Sequence, residues 1–325
     1  MFSCRLILAL VVVQLLALSV LMHEAELVID IDTPGTAIYG AIFTVLAAAV
    51  WWCRRARAQA GTEAETRANR VLGDLAEYVG LFMMISLLGA FASYPVAGLS
   101  HGFADAMLER CDLALGFDWL AWYRTVAAYP LLQIASRSAY AMIYVSPGIL
   151  LGWLAWTGQR REAHAFLAAV WLAAMITLVA FRFMPAVGPF AYLWHAPVPY
   201  LPVSDLWQPQ LIPKLRIHAI HGIDPGHLVG LVSAPSFHAA AAVLLIAFAR
   251  RQQVIGRPLI AVNLAMLLAT PVEGTHYLTD MILGALVALL SLHIVALLGG
   301  AAFAAPASWA RAGLRRALAG RSPVP

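Results

Sequence analysis

The chain is short of charge. Of its 325 residues only 12% are Asp, Glu, Lys or Arg, against about 25% in a soluble globular domain. Lysine is nearly missing: Lys214 stands alone, and no basic block occurs outside short loops and the tail. The net charge of +4 therefore does not point to a nucleic-acid partner. Cysteine is scarce too. Cys4, Cys53 and Cys111 are widely spaced and form no CxxC pair, which argues against a zinc site and a disulfide framework. No internal repeat is visible, and no linker divides the chain. What abounds is apolar: 62% of the residues are hydrophobic and the mean hydropathy is +0.79. That balance fits several membrane-spanning helices.

Apolar runs at 6–22, 35–52, 77–98, 138–157, 164–184, 235–249, 258–275 and 277–300 read as eight spans. They read as helices because lipid leaves no outside partner for the backbone. Arg5 precedes the first run as in a signal peptide. Its apolar stretch is longer than an h-region of about 7–15 residues, and no clean A-x-A-like site follows, so it reads as a retained span. The basic residues sort by loop. One side collects Arg5, Arg54, Arg55, Arg57, Arg67, Arg70, Arg160, Arg161, Arg250, Arg251, Arg257 and the arginines of the tail. The other holds Arg110, Arg124, Arg137, Arg182, Lys214 and Arg216. This asymmetry puts both termini in the cytoplasm, and the expected location is a bacterial inner (cell) membrane. The expected fold is all-α: about eight transmembrane helices, six of them forming a core bundle under an ordered outer cap. Two N-terminal helices and a basic loop occupy 1–72, the catalytic bundle 73–302, and a basic cytoplasmic tail 303–325.

Two outer connections are long. Residues 99–137 contain Leu115-Gly116-Phe117-Asp118-Trp119-Leu120-Ala121-Trp122-Tyr123, a mix that suits an interfacial helix or an ordinary amphipathic connector. Residues 185–234 carry Pro197, Pro199, Pro202, Pro209 and Pro213, which stiffen the segment into an ordered cap. Such a cap reads as a lid or head-group pocket. It also holds His195, His218, His221 and His227. Their spacing matches no defensible ligand pattern, so no metal and no cofactor is expected. His293, mid-span, is expected to be paired inside the bundle.

The chemistry is concentrated in two stretches. Ala234-Pro235-Ser236-Phe237-His238 opens the sixth run, and Glu273-Gly274-Thr275-His276-Tyr277-Leu278-Thr279-Asp280 opens the eighth. Two spans and one loop separate the histidines, so both end on the outer face. The sixth run, 15 residues long, rises only about 22 Å in a hydrocarbon core of about 30 Å. His238 is therefore expected slightly below the lipid boundary. His276 and Asp280 are four apart and would stack on one helix face. The aspartate would fix the imidazole tautomer and free the other nitrogen as nucleophile or base. Ser236 and His238 lie in the first turn after Pro235, where free N–H groups bind an anion. His238 would protonate a leaving alkoxide. Together these are the requirements of phosphoryl transfer: positioning, charge stabilisation and a proton for the leaving oxygen. Glu273 reads as a tuner of His276, a contact for an acceptor hydroxyl, or a satisfied helix-end carboxylate.

At these residues the chain resembles the type 2 phosphatidic acid phosphatase superfamily, specifically its inositolphosphotransferase-like branch, which includes inositol phosphorylceramide synthases. Pro235-Ser236-Phe237-His238-Ala239-Ala240 is similar to the second superfamily motif, and Gly274 to Asp280 to the third. Phe181-Arg182-Phe183-Met184-Pro185 occupies the place of the first. Leu115 to Trp119 resembles a segment common in the branch. The resemblance spans roughly residues 75–300. It implies that His276 forms a phosphohistidine, Asp280 orients it, His238 protonates the leaving group and Ser236 binds the phosphate, with no metal. The pattern departs at its cations. Ala269 and Thr270 stand where the superfamily has Ser-Arg, Met184 where it has Arg before proline, and Thr177 where it has Lys. Arg182 is the best substitute; Lys214, Arg216 and Arg137 are weaker ones. The implied substrate is a lipid phosphate ester in the bilayer, cleaved at the outer face by water or by a lipid or sugar hydroxyl, with transfer slightly favoured. The competing readings are a polytopic transporter and a catalytically inactive membrane scaffold.

Overall fold

Among the described residues each of the eight apolar runs is largely helical, the one at 138–157 being shared between two helices. The computed structural model describes residues 2–204 and 207–299. The long helices are α1 (Cys4–Glu24), α2 (Pro34–Gln59), α3 (Glu63–Gly98), the pair α6 (Pro130–Tyr140) and α7 (Met142–Thr157), α8 (Arg160–Phe183), α11 (Phe237–Ala249), α12 (Gly256–Glu273) and α13 (Leu278–Gly299). The first long connection folds as α4 (Asp105–Ala114) and α5 (Trp119–Ala128). The second, the cap, carries α9 (Pro189–Leu193), α10 (Trp207–Arg216) and a 3-10 turn at Pro225–His227. Strand β1 (Val28–Ile29) after α1 pairs in parallel with β2 (Gly222–Ile223) and ties the cap to the N-terminal helices.

Local chemistry sets the helix starts. Ser3, Thr33, Thr62, Asp118 and Ser236 each accept a hydrogen bond from the N–H three residues on, a cap that stabilises a helix by about 1 kcal/mol. Five helices are long and apolar enough to cross a membrane alone: α1, α2, α3, α8 and α13. The α6–α7 pair makes a sixth if counted as one span, bent by 43° at its break. It begins at Pro130, eight residues before the expected start, because an amphipathic limb precedes the bend. Helix α11 has only 13 residues. Helix α12 falls short of the required apolarity, carrying Arg257, Asn263, Thr270 and Glu273. The boundary read at residue 72 falls inside α3, which runs unbroken over 36 residues. The tail over 303–325 lies outside the described residues.

Helices α3 and α8 form the centre. On α8 every residue from Ala163 to Val170 is buried, four of them alanine; small side chains let helix backbones approach closely. Outward faces present Leu16, Val45, Leu131, Leu268 and Leu297, an apolar surface suited to lipid. The inward stripe of α13 runs through Gly284, Val287, Ala288, Ser291 and Val295. His293 falls off that stripe and is exposed, which corrects the expectation that it is paired inside the bundle.

The bundle has two different ends. At one, buried Asp74 and Glu77 of α3 meet Arg57 and Arg54 of α2 and Arg160 of α8, with Glu77 also 2.9 Å from His164 Nε2. At the other, the cap, α4 and α5 enclose the two histidine motifs.

Candidate active site

His276 stands between helices. After α12 ends at Glu273, Thr275 takes a positive φ of 51° and turns the chain, and α13 starts only at Leu278. The expected stacking on one helix face is therefore corrected in its geometry, although the contact forms. Asp280 Oδ2 accepts the Tyr277 N–H at 2.8 Å, reaching back across the first turn as in a capping box. Its other oxygen, Oδ1, lies 3.0 Å from His276 Nδ1. An ionised carboxylate only accepts, so Nδ1 carries the proton and Nε2 keeps its lone pair.

His238 is the second residue of α11. Its ring centroid lies 5.8 Å from that of His276, and Tyr140 stacks on it at 4.6 Å. Two close approaches hold α11 against α13. The Ser236 N–H donates to the Asp280 carbonyl at 3.1 Å. A Cβ on Gly284 would sit 2.1 Å from the Ser236 carbonyl oxygen, so glycine is required there. Ser236 is fully buried, and its Oγ caps the Ala239 N–H at 3.2 Å, leaving those of Phe237 and His238 to other partners.

Sequence reasoning missed the residues that anchor His276 from across the fold. Asp112 of α4 accepts from the Leu278 N–H, the Thr279 N–H and the Thr279 hydroxyl. Asp105 accepts from the N–H groups of Val187 and Gly188 and from the Tyr277 hydroxyl. Burial and the neighbouring Asp112 and Asp118 push the Glu109 carboxyl on the same helix above its usual range. The signal available was a run of acids at i, i+4 and i+7 in a connection beside the membrane. Trp119 of α5 donates its indole N–H to the Pro271 carbonyl, which also receives the His276 N–H. Glu273 is buried and tied to the cap. It accepts from the Tyr200 hydroxyl at 2.7 Å and from the Val203 N–H at 3.2 Å. Arg137 donates to the Tyr200 oxygen at 2.8 Å. Of the roles considered for Glu273, the satisfied helix-end carboxylate is the one these bonds describe.

The four cations considered for the phosphate make other contacts in the structure. Arg182 Nη1 is 3.4 Å from His101 Nδ1. Arg216 donates to Ser100 and to the Gly102 carbonyl. Lys214 is exposed on α10, and Arg137 serves Tyr200. Among the described residues none of them hydrogen-bonds Ser236, His238, His276 or Asp280. Thr270 turns its hydroxyl back to the Met266 carbonyl. A cavity of about 170 Å³ does adjoin His238, lined by Ser86, Gly89, Ser93, Thr177 and Phe237 among others. Thr177 is buried, and among the described residues its hydroxyl has no partner. No three His, Cys, Asp or Glu side chains converge as metal ligands among the described residues.

Residues 106–294 match a family model described as the PAP2 superfamily. The chain belongs to that superfamily. Membership supports a phosphatase-type activity on phosphoesters, and both histidine motifs fall inside the matched region. No curated protein and no solved structure matches the chain. The PAP2 match begins in α4, so α1, α2 and α3 precede it, although α3 supplies part of the wall beside His238.

Proposed function

We propose that this PAP2 protein transfers a phospho-head-group from a membrane lipid to a hydroxyl acceptor through His276. The observation that carries the reading is the histidine pair itself, 5.8 Å apart, with Asp280 on Nδ1 of His276. Nε2 of His276 attacks phosphorus, and the bond from phosphorus to the lipid oxygen breaks. His238 gives its proton to that oxygen, which leaves as an alcohol. The phosphohistidine then meets the acceptor hydroxyl. The hydroxyl oxygen attacks phosphorus, its proton passes to His238, and the P–N bond breaks to restore His276. The first turn of α11 and the unpartnered Thr177 hydroxyl are the donors available to the non-bridging oxygens. Arginine loops at the opposite end of the bundle favour an outer-face site in a cell membrane.

The electrostatics favour a phosphodiester. A phosphomonoester carries about −1.5 to −2 charges at pH 7, whereas a diester carries one. Asp105, Asp112, Glu273 and Asp280 are all buried near His276, and no Arg or Lys lines the cavity beside His238. A dianion there would lack counter-charge in a low dielectric. Diester cleavage releases a neutral lipid alcohol and leaves the head group to be passed on, in keeping with the resemblance to the inositolphosphotransferase-like branch.

The test is a substrate comparison with purified protein in mixed micelles. Phosphatidylinositol and phosphatidylglycerol are offered beside phosphatidate, each with and without a lipid hydroxyl acceptor. Expected products are diacylglycerol and a new phospholipid from the diesters, both lost in His276→Ala and His238→Ala. Faster release of phosphate from phosphatidate would overturn the diester reading. Full activity in His276→Ala would overturn the phosphohistidine.

A further inference from the structure

Two of the cations considered for the phosphate, Arg182 and Arg216, come together beside a groove on the α1 side of the bundle. About 350 Å³ in volume, it lies between α1, α3 and α8, with Leu18, Leu21, Val96 and Leu178 among its walls. Arg182 lines it at the end of α8, next to His101. Arg216 approaches the same corner: it bonds Ser100 and Gly102 just beyond α3 and stacks over Phe103 at 4.4 Å. Among the described residues neither arginine has a carboxylate partner. Burial, and then the positive charge of Arg182, pull the Arg216 guanidinium below its usual range. The two cations thus lie close enough to repel each other.

Deeper in the same groove lies Gln14. The buried seam of α1 reads Ile7, Val11, Gln14, Leu18 and Met22, and glutamine is its polar member. The residue is 2% exposed, and among the described residues neither Oε1 nor Nε2 has a hydrogen-bond partner. A buried amide left unpaired destabilises the fold. An apolar residue would pack the seam at no such cost. Gln14 lies seven residues from Leu21, roughly 10 Å down the helix axis at 1.5 Å per residue. A free anion held at Arg182 would not extend to that depth. A lipid does, because its polar linkage sits below its head group and above its chains.

We infer that this groove binds an anionic phospholipid, with the phosphate on Arg182 and Arg216 and an ester carbonyl accepting from Gln14 Nε2. The groove shares Leu178 with the cavity beside His238, but it is also walled by α1, which lies outside the matched PAP2 region. It does not depend on the proposed reaction.

The experiment uses the full chain carrying His276→Ala, so that turnover cannot consume the probe. Native mass spectrometry counts phosphatidylglycerol and phosphatidylcholine retained after detergent purification, in the presence and absence of inorganic phosphate. We expect retention of phosphatidylglycerol in preference to phosphatidylcholine, undiminished by inorganic phosphate. Adding Gln14→Leu should reduce retention of both lipids about tenfold. Adding Arg182→Gln should abolish the preference for the anionic one. Gln14→Leu removes an unpaired amide, so its melting temperature in lipid-free detergent should equal or exceed that of its parent. That comparison separates lost binding from lost folding. Unchanged retention in a folded Gln14→Leu protein, equal retention of both lipids by the parent, or displacement by inorganic phosphate would overturn the inference.

Discussion

At the scale of single residues, the site depends on one carboxylate with two obligations. Asp280 accepts from the Tyr277 N–H through one oxygen and meets His276 Nδ1 through the other. Both partners are donors when Nε2 is the nucleophile. Asparagine has one acceptor and one donor, so in Asp280→Asn the amide nitrogen must face one of them. Facing Tyr277, it loses the cap on α13. Facing His276, it selects the tautomer with the proton on Nε2, which cannot attack. Turnover is expected to fall by roughly two to four orders of magnitude, the range of a positioned acid–base group. Steady-state rates on a lipid phosphodiester measure it, and activity within a few-fold of the parent would refute the assigned role. The pairing of His276 with Asp280 was legible in the sequence because the residue types and their spacing lie within one short stretch. Asp105 and Asp112 were not, because they act on residues more than 160 positions away. Arg182 shows the converse. Its place in the sequence fits the first family motif, while the end of α8 turns it toward α1 and His101.

Among the elements, the cap and α12 are joined by a latch that prolines in a sequence do not reveal. Tyr200 stands between Glu273 and Arg137, and Tyr123 donates to the Tyr200 carbonyl at 2.7 Å. The Trp119 and Tyr123 rings stack at 5.3 Å, so α5 supports both α12 and the cap. The five prolines announced an ordered cap; what it is ordered against is a buried carboxylate three residues before His276. Burial, and then the hydrogen bond to Glu273, push Tyr200 up to about 12. A raised folded-state pKa keeps the contribution complete below the ordinary tyrosine value of about 10. It is lost as pH climbs through about 12, so the latch holds throughout neutral pH. Tyr200→Phe deletes the donor to Glu273 and the acceptor for Arg137 without changing ring volume. It should destabilise the fold by about 1–3 kcal/mol and lower turnover, because the α12 end that carries His276 loses its tie. Thermal unfolding in detergent and activity at neutral pH read the two effects, and a parent-like protein in both would show that the latch is dispensable.

Across the whole molecule, the helices were legible from apolarity, though only five or six qualify as spans against the eight expected, and the two-ended charge pattern was legible from the arginines. The interior wiring was not, because α3 and α8 read alike as apolar helices while only one face of each carries the buried polar groups. Asp74 and Glu77 are the example. From sequence they lie near the start of a span. In the fold they are buried and bind Arg54 and Arg57 of α2 and Arg160 and His164 of α8. This network joins a helix that precedes the PAP2 match to two that form the centre, at the end opposite the histidines. Removing one member of such a network leaves charges buried without a partner, and breaking a buried pair costs about 3–5 kcal/mol. Glu77→Ala strands buried His164, unties Arg54 and leaves Arg160 with only one of its two carboxylates. Asp74 keeps its own bonds to Arg57 and Arg160, so the loss concerns one node and not the whole cluster. The expected result is a marked drop in melting temperature in detergent, with turnover per folded molecule close to the parent's because the histidine motifs are untouched. Should turnover collapse while the protein stays folded and equally stable, the two ends would be coupled through α3, whose opposite half lines the cavity beside His238.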